Sequence, residues 1–424
     1  MTGHSSPAQL LDTPRPSRRY LAAGPIRYRI LLFLAAISLI GVAAEYVAWA
    51  SAALATGRDP SGIEIVPDYS KFHVAGQILN EQGAVAVYDP ALFAEALEET
   101  TGVSIIGGES FYGHPPFFPP VFVPLQPLGI PGGYALWMVA GFLCLTLVLR
   151  RIGINALVPA IVLVILSEPG FLTVRTGQFS LWAASLIGGV YLLLRSDRPY
   201  VAGALLGLLA FKPILAVGIG LWWLLDGKHY WKAIVGALGA VAVQVGVTLL
   251  LAPGSLAAYV ELLRDAGDIF VIGPTLRIGF SMREFITLLV PDRPGLATGL
   301  WIAASAVLVW GFVRLLRARR ADLSVMFPAA VVLGTLISPR TGGYDWVLLV
   351  IPAAILWVAF PGLRSLWVAC GATLLVASFF SMWILDMMEE SLGLALQIAT
   401  IALVVIAVIG WRALRTVSPL ETTA

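Results

Sequence analysis

The polar residues best suited to chemistry in this 424-residue chain lie beside long apolar segments. Asp68 falls in residues 66–72, VPDYSKF, at a plausible helix start. An aspartate there can cap the helix by accepting backbone N–H bonds, and an oriented carboxylate can also act as a general base. The local pattern favours the cap, and the two roles are compatible.

Three cations are candidates to hold a phosphate. Lys212 precedes Pro213 and interrupts an apolar stretch, so we expect it at the tip of a broken helical hairpin, where a cation beside unwound backbone suits phosphate. The alternative is a lysine that extends to the membrane interface. Arg175 and Arg340 fall in short loops between apolar segments, on the same predicted side. Each alone is more often a surface residue, so the hypothesis rests on the convergence of all three.

Other polar residues have two interpretations each. Glu45, inside the first apolar segment, indicates either a functional group or half of a buried pair. His73 lies just over one helical turn beyond Asp68, and His114, beside a proline run, could bind a phosphate or a sugar hydroxyl or be structural. Asp89 is expected to cap a helix. The remaining pocket candidates are Tyr112, Gln178, Tyr344 and Asp345, although a solvated role is the simpler one for Asp345.

Several functional classes are excluded by what the sequence lacks. It has no Walker loop, no Gly-x-Ser-x-Gly elbow and no His-Glu-x-x-His motif, and its four histidines are scattered. Its two cysteines lie in apolar segments and form no framework. A net charge of +2 gives no excess for nucleic acid. We expect no metal and no cofactor, although folding could bring Asp68, His73 and Asp89 together.

The elements that position these residues are membrane helices. The chain is 58% hydrophobic and 12% charged with a mean hydropathy of +0.87, more apolar surface than one water-soluble core can bury. The pattern predicts an all-α polytopic membrane protein with about twelve spans. The segments are 30–53, 132–149, 154–166, 179–194, 201–211, 214–225, 233–251, 296–316, 323–337, 346–360, 366–385 and 392–411. If the two segments flanking Lys212-Pro213 are one broken helix, the number is eleven.

Loop charge sets the predicted orientation. Twelve spans put most of the 27 lysines and arginines on the cytoplasmic side, whereas eleven would send the later ones outward. We therefore expect cytoplasmic tails at 1–29 and 417–424 around a membrane domain at 30–416. Long external loops at about 56–130 and 252–295 should carry short helices near 69–80, 90–101 and 256–266. Ala53-Leu54-Ala55 mimics a signal-peptidase site, so cleavage of the first segment is the alternative to a retained span.

The order of these features resembles glycosyltransferase family 87, the polyprenyl-phosphate-sugar-dependent mannosyltransferases of the GT-C superfamily. The resemblance rests on the order and spacing of short motifs rather than on any one of them. These motifs are Asp68-Tyr69, residues 79–83, Tyr88-Asp89, Pro115-Pro116, Gly177-Gln178, residues 203–207, Lys212-Pro213 and Ser338-Pro339 before Trp346. After Ser338-Pro339, where family members often carry histidine, this chain has Thr341-Gly342-Gly343-Tyr344-Asp345, so we expect Arg340 to supply the charge instead.

The resemblance implies a GT-C-type bundle that transfers a hexose, in this family mannose, from a polyprenyl-phosphate donor to a lipid or glycan acceptor. It puts the catalytic base on Asp68, the acid in the first external loop, and implies an inner-membrane enzyme with its site facing the periplasm or cell exterior. The alternative is a transporter or flippase, which would also show many spans and broken helices. Against it, neither half of the chain resembles the other, and the polar residues gather at the predicted external face.

Overall fold

A computed structural model describes residues 25–60, 65–102, 111–265, 279–392 and 395–416. Within these ranges the protein is built from α-helices and short 3₁₀ turns, without a β-strand. The helices are α1 (Pro25–Thr56), α2 (Pro67–Gln82), α3 (Pro90–Thr101), α4 (Gly129–Ile152), α5 (Leu157–Ile165), α6 (Glu168–Thr176), α7 (Ser180–Arg195), α8 (Pro199–Gly207), α9 (Val217–Leu225), α10 (Gly227–Leu251), α11 (Ser255–Asp265), α12 (Met282–Leu289), α13 (Pro294–Arg319), α14 (Leu323–Ile337), α15 (Val350–Ala359), α16 (Arg364–Leu392) and α17 (Ile398–Thr416). Most of the predicted N-terminal tail, 1–24, and the tail 417–424 lie outside the described residues.

The apolar helices confirm an all-α polytopic membrane protein but not a count of twelve spans. In the described ranges, six are long and apolar enough to cross a bilayer, and a seventh span is possible if α5 and α6, bent by 71°, are one broken helix. Each remaining predicted segment coincides with a shorter apolar helix. These five are Ser180–Arg195, Pro199–Phe211, Pro213–Leu225, Leu323–Ile337 and Gly343–Ala359.

Glycine allows two helix pairs to pack with their backbones in close contact. A Cβ on Gly203 of α8 would lie 1.8 Å from the carbonyl oxygen of Ala233 on α10, and one on Gly218 of α9 would lie 2.0 Å from that of Ala330 on α14. Small residues at such crossings let helices in a membrane pack closely, and this van der Waals contact stabilises their association where the hydrophobic effect between helices is absent. The glycines at 203–207 therefore have a packing role between α8 and α10.

The helices predicted in the two long loops are present. The predicted segments 69–80, 90–101 and 256–266 correspond to α2, α3 and α11. Asp89 caps α3 as expected, since its Oδ1 accepts the N–H groups of Ala91 and Leu92 at 2.9 and 3.2 Å. The cap predicted for Asp68 is wrong. Pro67 begins α2, Val66 takes the N-cap position with a φ of 56°, and Asp68 lies inside the first turn.

An aromatic cluster joins the first loop to the bundle. The proline-rich residues after His114 form 3₁₀ turns at Pro119–Val121 and Val123–Leu128. The ring of Phe118, just before them, stacks on Phe211 with centroids 4.4 Å apart and meets Phe72 of α2 edge-on at 5.6 Å. These contacts hold α2, and with it Asp68, against the end of the segment that carries Lys212.

Candidate active site

One end of each short apolar helix meets a single cavity of about 290 Å³. Two of these helices end at the cavity wall or within three residues of it, at Phe211 and Ile337. The other three begin there, at Ser180, Pro213 and Gly343. Helix ends leave backbone polar groups without intrahelical partners, so polar side chains gather here. The lining residues are Asp68, Lys71, Phe72, Phe111, Tyr112, Gly113, His114, Gln178, Phe211, Lys212, Pro213, Ile214, Tyr259, Arg340, Gly342, Tyr344 and Asp345.

Lys212 and Asp345 form an ion pair in this wall. The Lys212 Nζ donates to both carboxylate oxygens of Asp345, at 2.9 and 2.8 Å, and lies 4.8 to 4.9 Å from the ring centroids of Phe179 and Tyr344. Asp345 is fully buried and also accepts the N–H of Gly342 at 2.9 Å. The solvated role considered for Asp345 is therefore wrong, and Lys212 is held beside the cavity rather than extended to an interface.

Asp68 supplies a second carboxylate to the cavity. Within the described ranges no ion pair involves Asp68, in contrast to Asp345. Lys71, one helical turn further along α2, also lines the cavity, and Arg340 reaches it from the segment after α14. Three cations and two carboxylates thus surround a space large enough for a sugar and a phosphate. Lys71 is an addition to the predicted residues, and its position three residues after Asp68 is the signal that could have found it.

His114 forms an uncharged part of the wall. Burial, reinforced by the positive charges of Lys212 and Lys71, lowers its pKa to about 3. Its Nδ1 lies 3.4 Å from the carbonyl oxygen of Phe211. A neutral imidazole can exchange a hydrogen bond with a ligand hydroxyl without adding charge.

Tyr112 and Gln178 bring further polar groups to the same wall. Both side chains are buried, and neither the Tyr112 hydroxyl nor the Gln178 Oε1 has a hydrogen-bond partner in the described part of the chain. Five of the predicted pocket residues therefore line this cavity: Tyr112, His114, Gln178, Tyr344 and Asp345. Buried polar atoms are normally satisfied, so these two remain available to a ligand or water.

Three predicted residues do not line this cavity. The Arg175 guanidinium pairs with Asp59, which is buried. Glu45 is half-buried and lies beside Glu168 and Arg175. His73 belongs to α2 and is buried next to Tyr69, and burial lowers its pKa. Among the described residues, no group of three or more metal-ligating side chains comes together.

An apolar groove of about 490 Å³ runs along α5, α15 and α16. It extends from Leu149 and Ile154 to Trp346, the residue next to Asp345, and its polar wall is limited to groups such as Ser167 and Ser378. The polar cavity and the apolar groove therefore take consecutive residues, Asp345 and Trp346, into their walls.

Comparison with known protein families decides the class of the protein. Residues 112–339, more than half of the chain, match glycosyltransferase family 87. The chain belongs to this family. The protein is therefore a multi-pass membrane glycosyltransferase, as the resemblance implied. The matched region includes Lys212 and most of the cavity wall, begins after Asp68 and ends one residue before Arg340.

No curated protein and no solved structure matches the chain. The family assignment favours an enzyme over the transporter alternative, and it leaves the donor, the sugar and the acceptor to be argued from the cavity.

Proposed function

We propose that this glycosyltransferase moves a hexose from a polyprenyl-phosphate donor to a hydroxyl of a lipid or glycan acceptor, with inversion and with Asp68 as general base. The observation that carries the proposal is the unequal state of the two carboxylates in the cavity. Asp345 is neutralised by Lys212, whereas Asp68 has no ion-pair partner within the described ranges. Asp68 is therefore the carboxylate available to accept a proton.

The chemistry needs one base and several cations. Asp68 takes the proton of the acceptor hydroxyl as its oxygen attacks the anomeric carbon of the sugar. The bond from that carbon to the phosphate oxygen breaks, and its electron pair leaves with the lipid phosphate. A phosphate is a competent leaving group without protonation, so a general acid is unnecessary. Lys212, Arg340 and Lys71 stabilise the charge that develops on it.

The apolar groove supports a lipid-linked donor. Lys212 is bonded to Asp345, and the following residue, Trp346, lines the groove. A chain of isoprene units placed along α5, α15 and α16 would then bury apolar surface. Mannose is proposed as the sugar because the family implies it.

Charge at the opposite ends of the short helices supports an external location for the site. The ends away from the cavity carry cations or lie next to them, such as Arg195 at the end of α7, Lys228 after α9, Arg320 before α14 and Arg364 after α15. By the positive-inside rule those ends face the cytoplasm. We therefore propose an inner-membrane enzyme with cytoplasmic termini and a cavity that faces the periplasm or cell exterior.

The test is the conservative variant Asp68→Asn in purified enzyme with a synthetic short-chain polyprenyl-phosphate mannose. Loss of a general base should lower the transfer rate by about 10²–10⁴-fold while binding of farnesyl phosphate, which lacks the sugar, stays unchanged. Asp89→Asn is the matched control, since Asp89 lies in the same loop but caps α3. Transfer by Asp68→Asn at the rate of the control would remove Asp68 from the mechanism.

A further inference from the structure

The segment that carries Arg340 is fixed by two buried carboxylates. The N–H of Thr341 donates to Glu284 Oε2 at 3.1 Å, and the N–H of Gly342 donates to Asp345 Oδ2 at 2.9 Å. These are consecutive backbone donors, directly after Arg340. Hydrogen bonds to a charged acceptor are stronger than neutral ones, so the backbone beside Arg340 has little freedom to move.

Glu284 belongs to α12, in a part of the chain distant in sequence from Arg340. Its side chain is 2% exposed, and the same Oε2 accepts the N–H of Ser281 at 3.0 Å, while Ser281 Oγ accepts the N–H of Glu284 at 3.2 Å. This is a capping box. A capping glutamate usually serves only its own helix, whereas this oxygen also binds a backbone group 57 residues away.

Further bonds join the start of α12 to the same segment. The N–H of Phe280 donates to the carbonyl oxygen of Thr341 at 2.8 Å, and Gln397 Nε2 donates to the carbonyl oxygen of Gly279 at 2.6 Å. On the other side, Ser338 Oγ donates to the carbonyl oxygen of Arg340 at 2.8 Å. Arg340 therefore lines the cavity from a backbone that is fixed at its own carbonyl and at the two residues that follow it.

The position of Glu284 is also electrostatically matched to Arg340. Burial raises the pKa of Glu284, while its backbone hydrogen bonds and the positive charge of Arg340 act in the opposite direction. A buried carboxylate is costly unless it is hydrogen-bonded and compensated. Here both conditions are met by the segment that carries Arg340.

We infer that Glu284 is a positioning residue for donor-phosphate binding, acting through the backbone of Thr341 to hold the Arg340 guanidinium at the cavity. The inference rests on the proposed function, in which Arg340 contacts the phosphate. Glu284 itself lies behind the wall and does not line the cavity. The ligand class that it affects is a lipid phosphomonoester or phosphodiester.

A double-mutant cycle tests this inference with farnesyl phosphate as the probe. Arg340→Ala and Glu284→Ala are each expected to weaken its binding about tenfold, and the double variant should bind no more weakly than Arg340→Ala alone. An equal further loss in the Arg340→Ala background would mean that Glu284 does not act through Arg340, and would overturn the inference. Unchanged binding by Arg340→Ala would instead remove the phosphate role proposed for Arg340, and this inference with it.

Two further variants separate positioning from support of α12. Ser281→Ala removes the helix cap and keeps the Thr341 bond, so it should lower the melting temperature without weakening farnesyl phosphate binding. Glu284→Gln should restore binding, because one side-chain oxygen accepts both N–H groups. A Gln variant as weak as the Ala variant would overturn the inference. If Glu284→Ala does not fold, Glu284→Asp replaces it in the cycle, since its carboxylate lies one methylene farther from Thr341.

Discussion

Replacing Lys212 with methionine should destabilise the protein far more than removal of a surface lysine. The variant leaves the Asp345 carboxylate fully buried, with the N–H of Gly342 as its remaining partner in the described ranges. Removing one member of a buried ion pair costs about 3–5 kcal/mol, because the other charge stays uncompensated. Lys228→Met is the control, since Lys228 is exposed at the start of α10, and it should stay within about 0.5 kcal/mol of the wild type.

The same pair predicts an unequal effect of its two members. In Asp345→Asn the Lys212 ammonium still faces the cavity, with 15% of its side chain exposed, and stays beside the rings of Phe179 and Tyr344. The asparagine oxygen can also keep the Gly342 bond. This variant should therefore cost about 1–3 kcal/mol, less than Lys212→Met.

The decisive variant combines both changes. Lys212→Met with Asp345→Asn removes the buried charge that makes the single lysine variant unstable, so the double variant should be more stable than Lys212→Met alone. The free energy of unfolding is measured by titration with SDS in mixed micelles. A double variant as unstable as Lys212→Met, or more so, would refute the assignment of the penalty to an uncompensated Asp345.

Two more predictions concern residues on either side of the cavity boundary. His114 has a pKa lowered from 6.5 to about 3 in the folded protein, so between these values the unfolded chain binds a proton that the folded one does not, and stability falls as pH falls. His114→Gln should therefore lose less thermal stability than the wild type between about pH 7.5 and about pH 5, and equal losses would contradict the assignment. Arg175→Gln should lower stability because it removes one ion-pair partner of the buried Asp59 carboxylate, yet keep farnesyl phosphate binding within about twofold. A loss of affinity of about tenfold would show that Arg175 contributes to phosphate binding.

Local features of this molecule could be predicted from its sequence. The apolar segments became helices because their length and composition leave few other structures in a membrane. Asp89 caps α3 because the cap depends on residues two and three positions away. Asp68 failed as a cap for an equally local reason. Proline at position 67 has its φ fixed and no N–H to satisfy, so the helix begins there and Val66 takes the cap position.

The pairings between distant residues could not be predicted. Lys212 meets Asp345 over 133 positions, and Arg175 meets Asp59 over 116. Arg175 and Lys212 are both predicted to bind a phosphate, and a single sequence does not show which carboxylate each cation pairs with. Glu284 carries a capping-box pattern with Ser281, and nothing in that pattern shows that Thr341 will also donate to it.

The short apolar helices that meet the cavity have a consequence for where substrates can meet. The 16 residues of α7 extend about 24 Å at the usual rise per residue, whereas the hydrocarbon layer is about 30 Å thick. If their cationic ends lie level with one surface, the opposite ends stop several ångströms short of the other, forming the floor of a water-accessible depression. A sugar hydroxyl could enter this depression from the aqueous side while a lipid headgroup entered it laterally from the leaflet. Neither group would have to cross the hydrocarbon layer.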